Sequence, residues 1–322
     1  MYSLPAYGRM VADEVRMNAY LEALRRAIKP GDIVVDLGAG PGVLALHACR
    51  LGAARVYAIE PDDSIGIAAE LAAANGMADR IGLAQQYAER LDLPERADVI
   101  VSDLRGAVPL HGAHPAVILN VRERWLKPGG TLIPMRDTIQ AGLVRPGPHY
   151  DRVVDPWRPQ AGLDLAPALK WALGIPRKSR LAAEDLATAP RQWAVLDYRA
   201  LTASDAFTGE VAWSVDEPAT ACGVALWTDA ELLDGVGFSN APGPRAAIHG
   251  QMLLPWTRPV ALAKGEQVKV SLTANATPRG YLWAWSTQVA GADGAVREQF
   301  TQGGPGSIPA GLRRFARAAP RA

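Results

Sequence analysis

A chain of 322 residues, 49% hydrophobic and 21% charged, has material for two domains with separate cores and is not a disordered composition. Its formal net charge of +1 excludes the basic field that drives non-specific nucleic-acid binding, and no apolar run approaches the about eighteen residues of a membrane span. The opening MYSLPAYGRMVADEVR carries charges where a secretory signal needs an apolar stretch, so a soluble, cytoplasmic protein is expected.

In chain order, Met17, Leu21, Leu24 and Ile28 recur on one helix face, which Pro30-Gly31 ends. Ile33–Leu37 is a short apolar run suited to a buried parallel strand. A glycine-rich turn leads into a helix over Val43–Leu51, and a second strand follows at Arg55–Ile59. Asp63–Asn75 reads as helix, Ala97–Ser102 as a buried strand and Pro115–Leu126 as helix. Pro128-Gly129-Gly130 reads as a turn before a strand at Thr131–Pro134. Strands alternating with helices at this spacing imply a doubly wound, Rossmann-like parallel sheet. After about residue 140 the character changes. Glu210–Val215, Ala221–Trp227, Gln267–Leu272 and Tyr281–Val289 are β-branched or aromatic, as antiparallel strands of a sandwich or barrel would be. Ala166–Ala189 reads as helical. The expected divisions are 1–30 for N-terminal helices, 31–140 for the parallel-sheet domain, 141–302 for the β-rich domain and 303–322 for a loose tail. The two cysteines, Cys49 and Cys222, match no metal or redox spacing and read as small buried hydrophobes; no metal site is expected.

The central motif is VVDLGAGPGVL, in which Asp36, Gly38, Gly40 and Gly42 give a D-x-G-x-G-x-G pattern. Glycines let the backbone turn sharply and approach a ligand, and the following helix presents free N–H groups. The spacing differs from the G-x-G-x-x-G of dinucleotide enzymes, and an acid two residues before the first glycine suits an amino-acid ammonium better than a pyrophosphate. Glu60, 22 residues after Gly38, ends the second strand where an acid accepts hydrogen bonds from ribose hydroxyls. S-adenosylmethionine is the expected cofactor, with S-adenosylhomocysteine as product; an NAD-dependent oxidoreductase is the competing class.

The run DEVRMNAY (Asp13–Tyr20), the glycine motif and VYAIEP together resemble the protein arginine methyltransferase family. The resemblance implies that Arg16, on a helix folding over the cofactor, pairs with the cofactor carboxylate, a bidentate geometry for which arginine is suited. A merely solvated position for Arg16 is the plain alternative. Ala88 and Glu89 in YAERLDLP correspond to the residues reaching the adenine. The segment Ala247–Ala274 resembles the family's antiparallel β-barrel around a T-H-W loop, and Ala166–Ala189 then corresponds to a helical dimerisation arm. A homodimer is implied.

Where the family carries two glutamates on the loop after the fourth strand, this chain has SDLRGAVPLHGAH (Ser102–His114), with Asp103 at the first position and His111-Gly112 around the second. Arg105 adds a positive charge unfavourable to a cationic acceptor at short range. The T-H-W loop becomes Ile248-His249-Gly250. Asp103, His249 and His111 are the candidate catalytic residues, a histidine serving as base where the acceptor needs one. His111 and His114, on a Gly/Pro-containing loop, are expected to face solvent. The expected substrate is a small-molecule or peptide acceptor methylated at N or O. A guanidino N-methyltransferase with a reduced acidic loop, and a catalytically inactive cofactor-binding regulatory subunit, are the alternatives.

Overall fold

The structure is a computed structural model and describes residues 3–110, 112–243, 248–278 and 280–304. Its helices and strands, in order, are α1 (Leu4–Val11), α2 (Glu14–Ala27), β1 (Ile33–Leu37), α3 (Val43–Arg50), β2 (Arg55–Ile59), α4 (Ser64–Ala74) and β3 (Ile81–Ala84). There follow β4 (Ala97–Ser102), α5 (His114–Trp125), β5 (Leu126–Ile133), β6 (Arg136–Val144), α6 (Pro148–Val154), α7 (Leu169–Ala172), β7 (Arg177–Ser179) and β8 (Arg191–Asp197). The chain continues through β9 (Ala206–Ser214), β10 (Ala219–Leu233), β11 (Val236–Ser239), β12 (Gln251–Leu262), β13 (Gln267–Thr277), β14 (Gly280–Ala290) and β15 (Val296–Gly303).

The first unit comprises Met1–Thr138, Val195–Ser204 and Thr228–Asn240. A single division near residue 140 therefore does not describe the chain, because two later segments fold with the parallel sheet. That sheet has the order β3-β2-β1-β4-β5, every pair parallel. The order reverses between β1 and β4, and in such sheets ligands bind at the carboxyl ends of the strands beside that point. Asp13 starts α2 by accepting from the Arg16 backbone N–H at 3.2 Å, a side-chain cap that local sequence dictates. The helix turns Met17, Tyr20 and Leu24 into a core shared with Val34, Val56, Val99 and Val101, and with Leu232 and Val236 from the second half of the chain. β3, short and half exposed, carries no period-2 signal. Residues 128–130, expected as a turn, fall within the bounds of β5 but have no partner on β4: Leu126 pairs with Ala97 and Thr131 with Val99, so the chain bulges between them, with Gly129 at φ of 75°.

The second unit comprises Ile139–Ala194, Asp205–Trp227 and the chain from Ala241 onward. It carries the antiparallel sheet β15-β14-β13-β9. A further sheet runs β7-β12-β10-β6-β8, with β11 beside β10. Trp213, Trp227, Trp256, Trp283 and Trp285 are all buried, as core residues of these strands. Helix does not extend over 166–189. Only 166–172 and a 3-10 turn at Ala183–Asp185 are helical, Gly174 and Pro176 stop the first, and Arg177–Ser179 instead pairs with Gln251–Leu253. Cys49 and Cys222 are buried free thiols, and burial pushes both up from the ordinary thiol range, Cys222 to about 12. Among the described residues no helix is long and apolar enough to cross a membrane, and no group of three potential metal ligands comes together. The expected tail is covered by the described residues only as far as 304.

Candidate active site

Three strands deliver the expected cofactor residues to one end of the parallel sheet. The loop after β1 holds Gly38, Gly40 and Gly42 at φ of 71°, 52° and 76°, the left-handed region that glycine enters without steric cost. Space is as restrictive as conformation. A Cβ on Gly40 would lie 2.7 Å from the Tyr7 ring, and one on Gly42 2.7 Å from the Ala68 methyl. Glu60, at the end of β2, clasps this loop: its Oε2 accepts from the Gly40 N–H at 2.9 Å and its Oε1 from the Asp62 N–H at 3.0 Å. Burial raises its carboxyl from the usual range, against those two hydrogen bonds.

Asp36 is 1% exposed and its Oδ2 accepts from the Ala45 N–H at 2.9 Å, tying β1 to the first turn of α3. Burial pushes its carboxyl up to about 7. Ala88 is buried in a short turn of 3-10 helix, Ala88–Arg90, with its carbonyl accepting from Arg124 at 3.1 Å, while Glu89 is exposed.

Arg16 is not on a solvated face. Its guanidinium is buried, forms an ion pair with Asp103 Oδ2 and donates to the Met10 carbonyl at 2.8 Å. Asp103 follows β4, and its Oδ1 lies 3.0 Å from the Tyr20 hydroxyl, which also donates to the Ser102 carbonyl at 2.9 Å. α2 thus presents Arg16 and Tyr20, one turn apart, to the same carboxylate.

Arg105 differs from its expected role as a charge facing the acceptor. It is 2% exposed and points inward, donating to Asp137 Oδ1 at 3.0 Å and to the Tyr20 hydroxyl, with Asp103 Oδ1 at 3.7 Å. Tyr198 completes the set by donating to Asp137 Oδ2 at 2.7 Å, and the Arg105 guanidinium lies 5.2 Å from the Phe238 ring centre. Two arginines therefore face two aspartates, and the field of each charge is largely cancelled where it stands. Burial pushes both the Tyr20 and the Tyr198 hydroxyls well above the ordinary tyrosine range, so each acts as a neutral hydrogen-bonding group.

His114 also departs from expectation. It opens α5, is 2% exposed rather than solvent-facing, and stacks edge-on to Tyr198 with ring centres 5.1 Å apart. Burial, reinforced by Arg105, pushes its imidazole down to about 3. His249 is buried in the second unit, and His111 lies outside the described residues. Structure thus joins Gly40 with Glu60, and Arg16 with Asp103. Sequence reasoning passes over Tyr20, Asp137, Ser102, Tyr198 and Tyr7. Tyr20 had a usable signal in its spacing of four from Arg16; the others are brought in by tertiary packing alone.

With this geometry in place, comparison with known proteins becomes informative. The family model for ribosomal protein L11 methyltransferase (PrmA) matches residues 17–132, the segment that carries the parallel sheet. A Protein arginine N-methyltransferase 6 from Xenopus laevis is 30% identical over 237 residues, covering 69% of this chain and 68% of that protein. A Probable protein arginine N-methyltransferase 6 from Arabidopsis thaliana is 29% identical over 234 residues, or 70% of this chain and 54% of that one. The chain spans about half the length of that Arabidopsis relative and of the Probable protein arginine N-methyltransferase 6.1 of Oryza sativa that it also matches. Among solved structures, the Trypanosoma brucei PRMT1 enzyme-prozyme heterotetrameric complex with AdoHcy superposes with a TM-score of 0.83 at 20% identity, over 92% of this chain and 96% of that one. Arabidopsis thaliana Protein Arginine Methyltransferase 10 does so with a TM-score of 0.79 at 22% identity, over 94% and 97%. These two likenesses speak for the fold; the Xenopus relative, 30% identical and covered over 68% of its length, speaks for the family. The chain belongs to the protein arginine methyltransferase family.

Proposed function

We propose that the chain is an S-adenosylmethionine-dependent methyltransferase acting on a small-molecule or peptide acceptor at nitrogen or oxygen. The observation that carries this reading is the clasp between Glu60 and the Gly40 N–H at the switch point of the sheet. The donor and acceptor set fits the cofactor: three glycines in the left-handed region turn the loop at the strand end, and each Glu60 oxygen keeps a lone pair for a ribose hydroxyl. Gly38, Gly40, Gly42 and Glu60 would hold the nucleoside end, Ala88 and Glu89 the adenine, and Arg16 the carboxylate, with Asp36 bracing the loop from beneath. When bound, the cofactor supplies an electrophilic methyl group on a sulfonium.

The chain's own contribution is to hold and desolvate the nucleophile. Asp103 lies at the carboxyl end of β4 and orients the acceptor through its oxygens. The site's net charge does not select for a cation, because Arg16 and Arg105 offset Asp103 and Asp137. That favours a nucleophile neutral at the reacting atom. A guanidino acceptor is the second reading, favoured by relatives named as arginine N-methyltransferases. A homodimer is proposed with residues 166–189 as the contact; light scattering showing a monomer at micromolar concentration would count against it.

Calorimetric titration with S-adenosylmethionine, S-adenosylhomocysteine and NAD tests the cofactor. The first two are expected to bind at micromolar Kd. Glu60→Ala removes two charge-assisted hydrogen bonds of about 1.5–3 kcal/mol each, so affinity is expected to fall at least about 100-fold. Binding of NAD alone, or of nothing, sinks the reading; tight binding with no turnover on any acceptor would mark a regulatory subunit.

A further inference from the structure

Four cationic side chains converge on one cavity of the second unit. The cavity, of about 580 Å³, opens between α6 with the 3-10 turn Asp155–Trp157 that follows it and strand β7 with the residue after it. Arg152 comes from the first wall, and Arg177, Lys178 and Arg180 from the second. Among the described residues that line it there is no carboxylate. Arg152, Arg177 and Arg180 are exposed and form no ion pair among the described residues, whereas Arg158, which does not line the cavity, is held by Asp155 at 2.9 Å. Like charges gathered without a counter-charge repel one another, and an anion relieves that repulsion.

Edge protection explains part of this. β7 is the outer strand of its sheet, and charge on a short edge strand guards against pairing with other chains. That purpose accounts for Arg177 and Lys178. It does not account for Arg152 on the other wall, nor for Trp157, which is half-buried, packs against the core around Tyr150 and Val153, and lines the cavity. His149, buried in the same wall, donates from Nε2 to the Arg145 carbonyl at 2.8 Å, which fixes its ring.

We propose that this cavity binds a small organic phosphate, with the phosphate on Arg152, Arg177 and Arg180 and the apolar body against Trp157 and Pro156. A guanidinium engages two oxygens of one anion at once, and a phosphate brings three strong acceptor oxygens and nearly two charges where a carboxylate brings two oxygens and one charge. The volume falls in the range of small-molecule pockets, roughly 300–1,000 Å³, and a bare ion does not fill it. None of the residues proposed to hold S-adenosylmethionine takes part, so the site stands or falls independently of the methyltransferase reading.

The test titrates the full chain by calorimetry with phenyl phosphate, inorganic phosphate and benzoate, at low salt and again at about 0.15 M. Phenyl phosphate is expected to bind saturably and more tightly than inorganic phosphate, with benzoate weakest. Arg152→Met and Arg177→Met should each weaken phenyl phosphate at least about tenfold. Trp157→Phe should weaken phenyl phosphate while leaving inorganic phosphate within about twofold. Arg258→Met, which removes an exposed arginine of the second unit paired with Glu298, should change neither. Residues 177–180 lie within the segment proposed as a dimer contact, so light scattering accompanies each titration. Absence of phenyl phosphate binding, whether the chain is monomer or dimer, overturns the proposal. So does phenyl phosphate binding no tighter than inorganic phosphate, an equal loss in Arg258→Met, or unchanged affinity in a folded Arg152→Met.

Discussion

The end of β4 in the first unit and the tryptophan-rich interior of the second bury polar atoms for different ends. In the second unit, buried polar side chains are spent on tying loops to strands. Gln302 donates to the carbonyls of Leu173 and Pro255 at 2.7 Å each and accepts from Trp285 at 3.2 Å. Gln251 accepts from the Leu181 N–H at 2.8 Å, and Tyr150 donates to the Trp256 carbonyl at 3.1 Å. Side chain meets backbone in most of these contacts, although the Trp193 and Trp256 indole N–H groups and the Thr287 hydroxyl stay without a hydrogen-bond partner. Around β4, side chain meets side chain, charge meets charge, and hydrogen-bonding capacity is left over. A fold that only needed stability would not place a buried ion-pair network there, because such networks return little beyond their desolvation cost.

That contrast can be broken by experiment, the largest expected effect first. Arg105→Met leaves the Asp137 carboxylate, fully buried, with Tyr198 alone, and unfolding in urea should show a loss of about 3–5 kcal/mol. Asp36→Asn acts through pH. The buried carboxyl, raised to about 7 from 3.8, stabilises the fold fully below about pH 3.8, and that contribution is lost as pH rises to about 7. It amounts to at most about 4 kcal/mol, and the variant should show a correspondingly flatter stability profile between pH 4 and 7. Gln302→Leu strips two carbonyls of their donor and should cost about 1–3 kcal/mol, with no change in cofactor affinity. Gln302→Leu costlier than Arg105→Met would mark the network at β4 as the less structural of the two.

Much of the first unit was legible because its signals are local. The apolar runs of β1, β2 and β4, the glycine turn, and the Asp13 cap of α2 act within a few residues of themselves. Gly40 and Glu60 could be paired on paper because strand, turn and helix fix their separation. What escaped was decided at a distance. The partner of Arg105 is 32 residues away and that of Tyr198 is 61, with no periodicity to announce either. His114 looked solvent-facing because a Gly/Pro loop precedes it, yet packing against Tyr198 buries it. The run at 166–189 is apolar and alanine-rich, which suggests helix, but Arg177–Ser179 found an open edge of β12 to pair with.

Glu60 has one more consequence, for the thermodynamics of recognition. Both carboxylate oxygens are already anchored by backbone N–H groups, one from Gly40 in the glycine loop and one from Asp62 two residues on. Immobilising a rotamer-rich side chain on binding typically costs about 0.5–1.5 kcal/mol, and here that ordering is completed during folding. In the proposed cofactor site the lone pairs offered to a ribose are therefore preorganised. A ribose diol arriving at this strand end meets an acceptor that does not have to move, and affinity at that contact is set by the hydrogen bonds formed rather than by freedom surrendered.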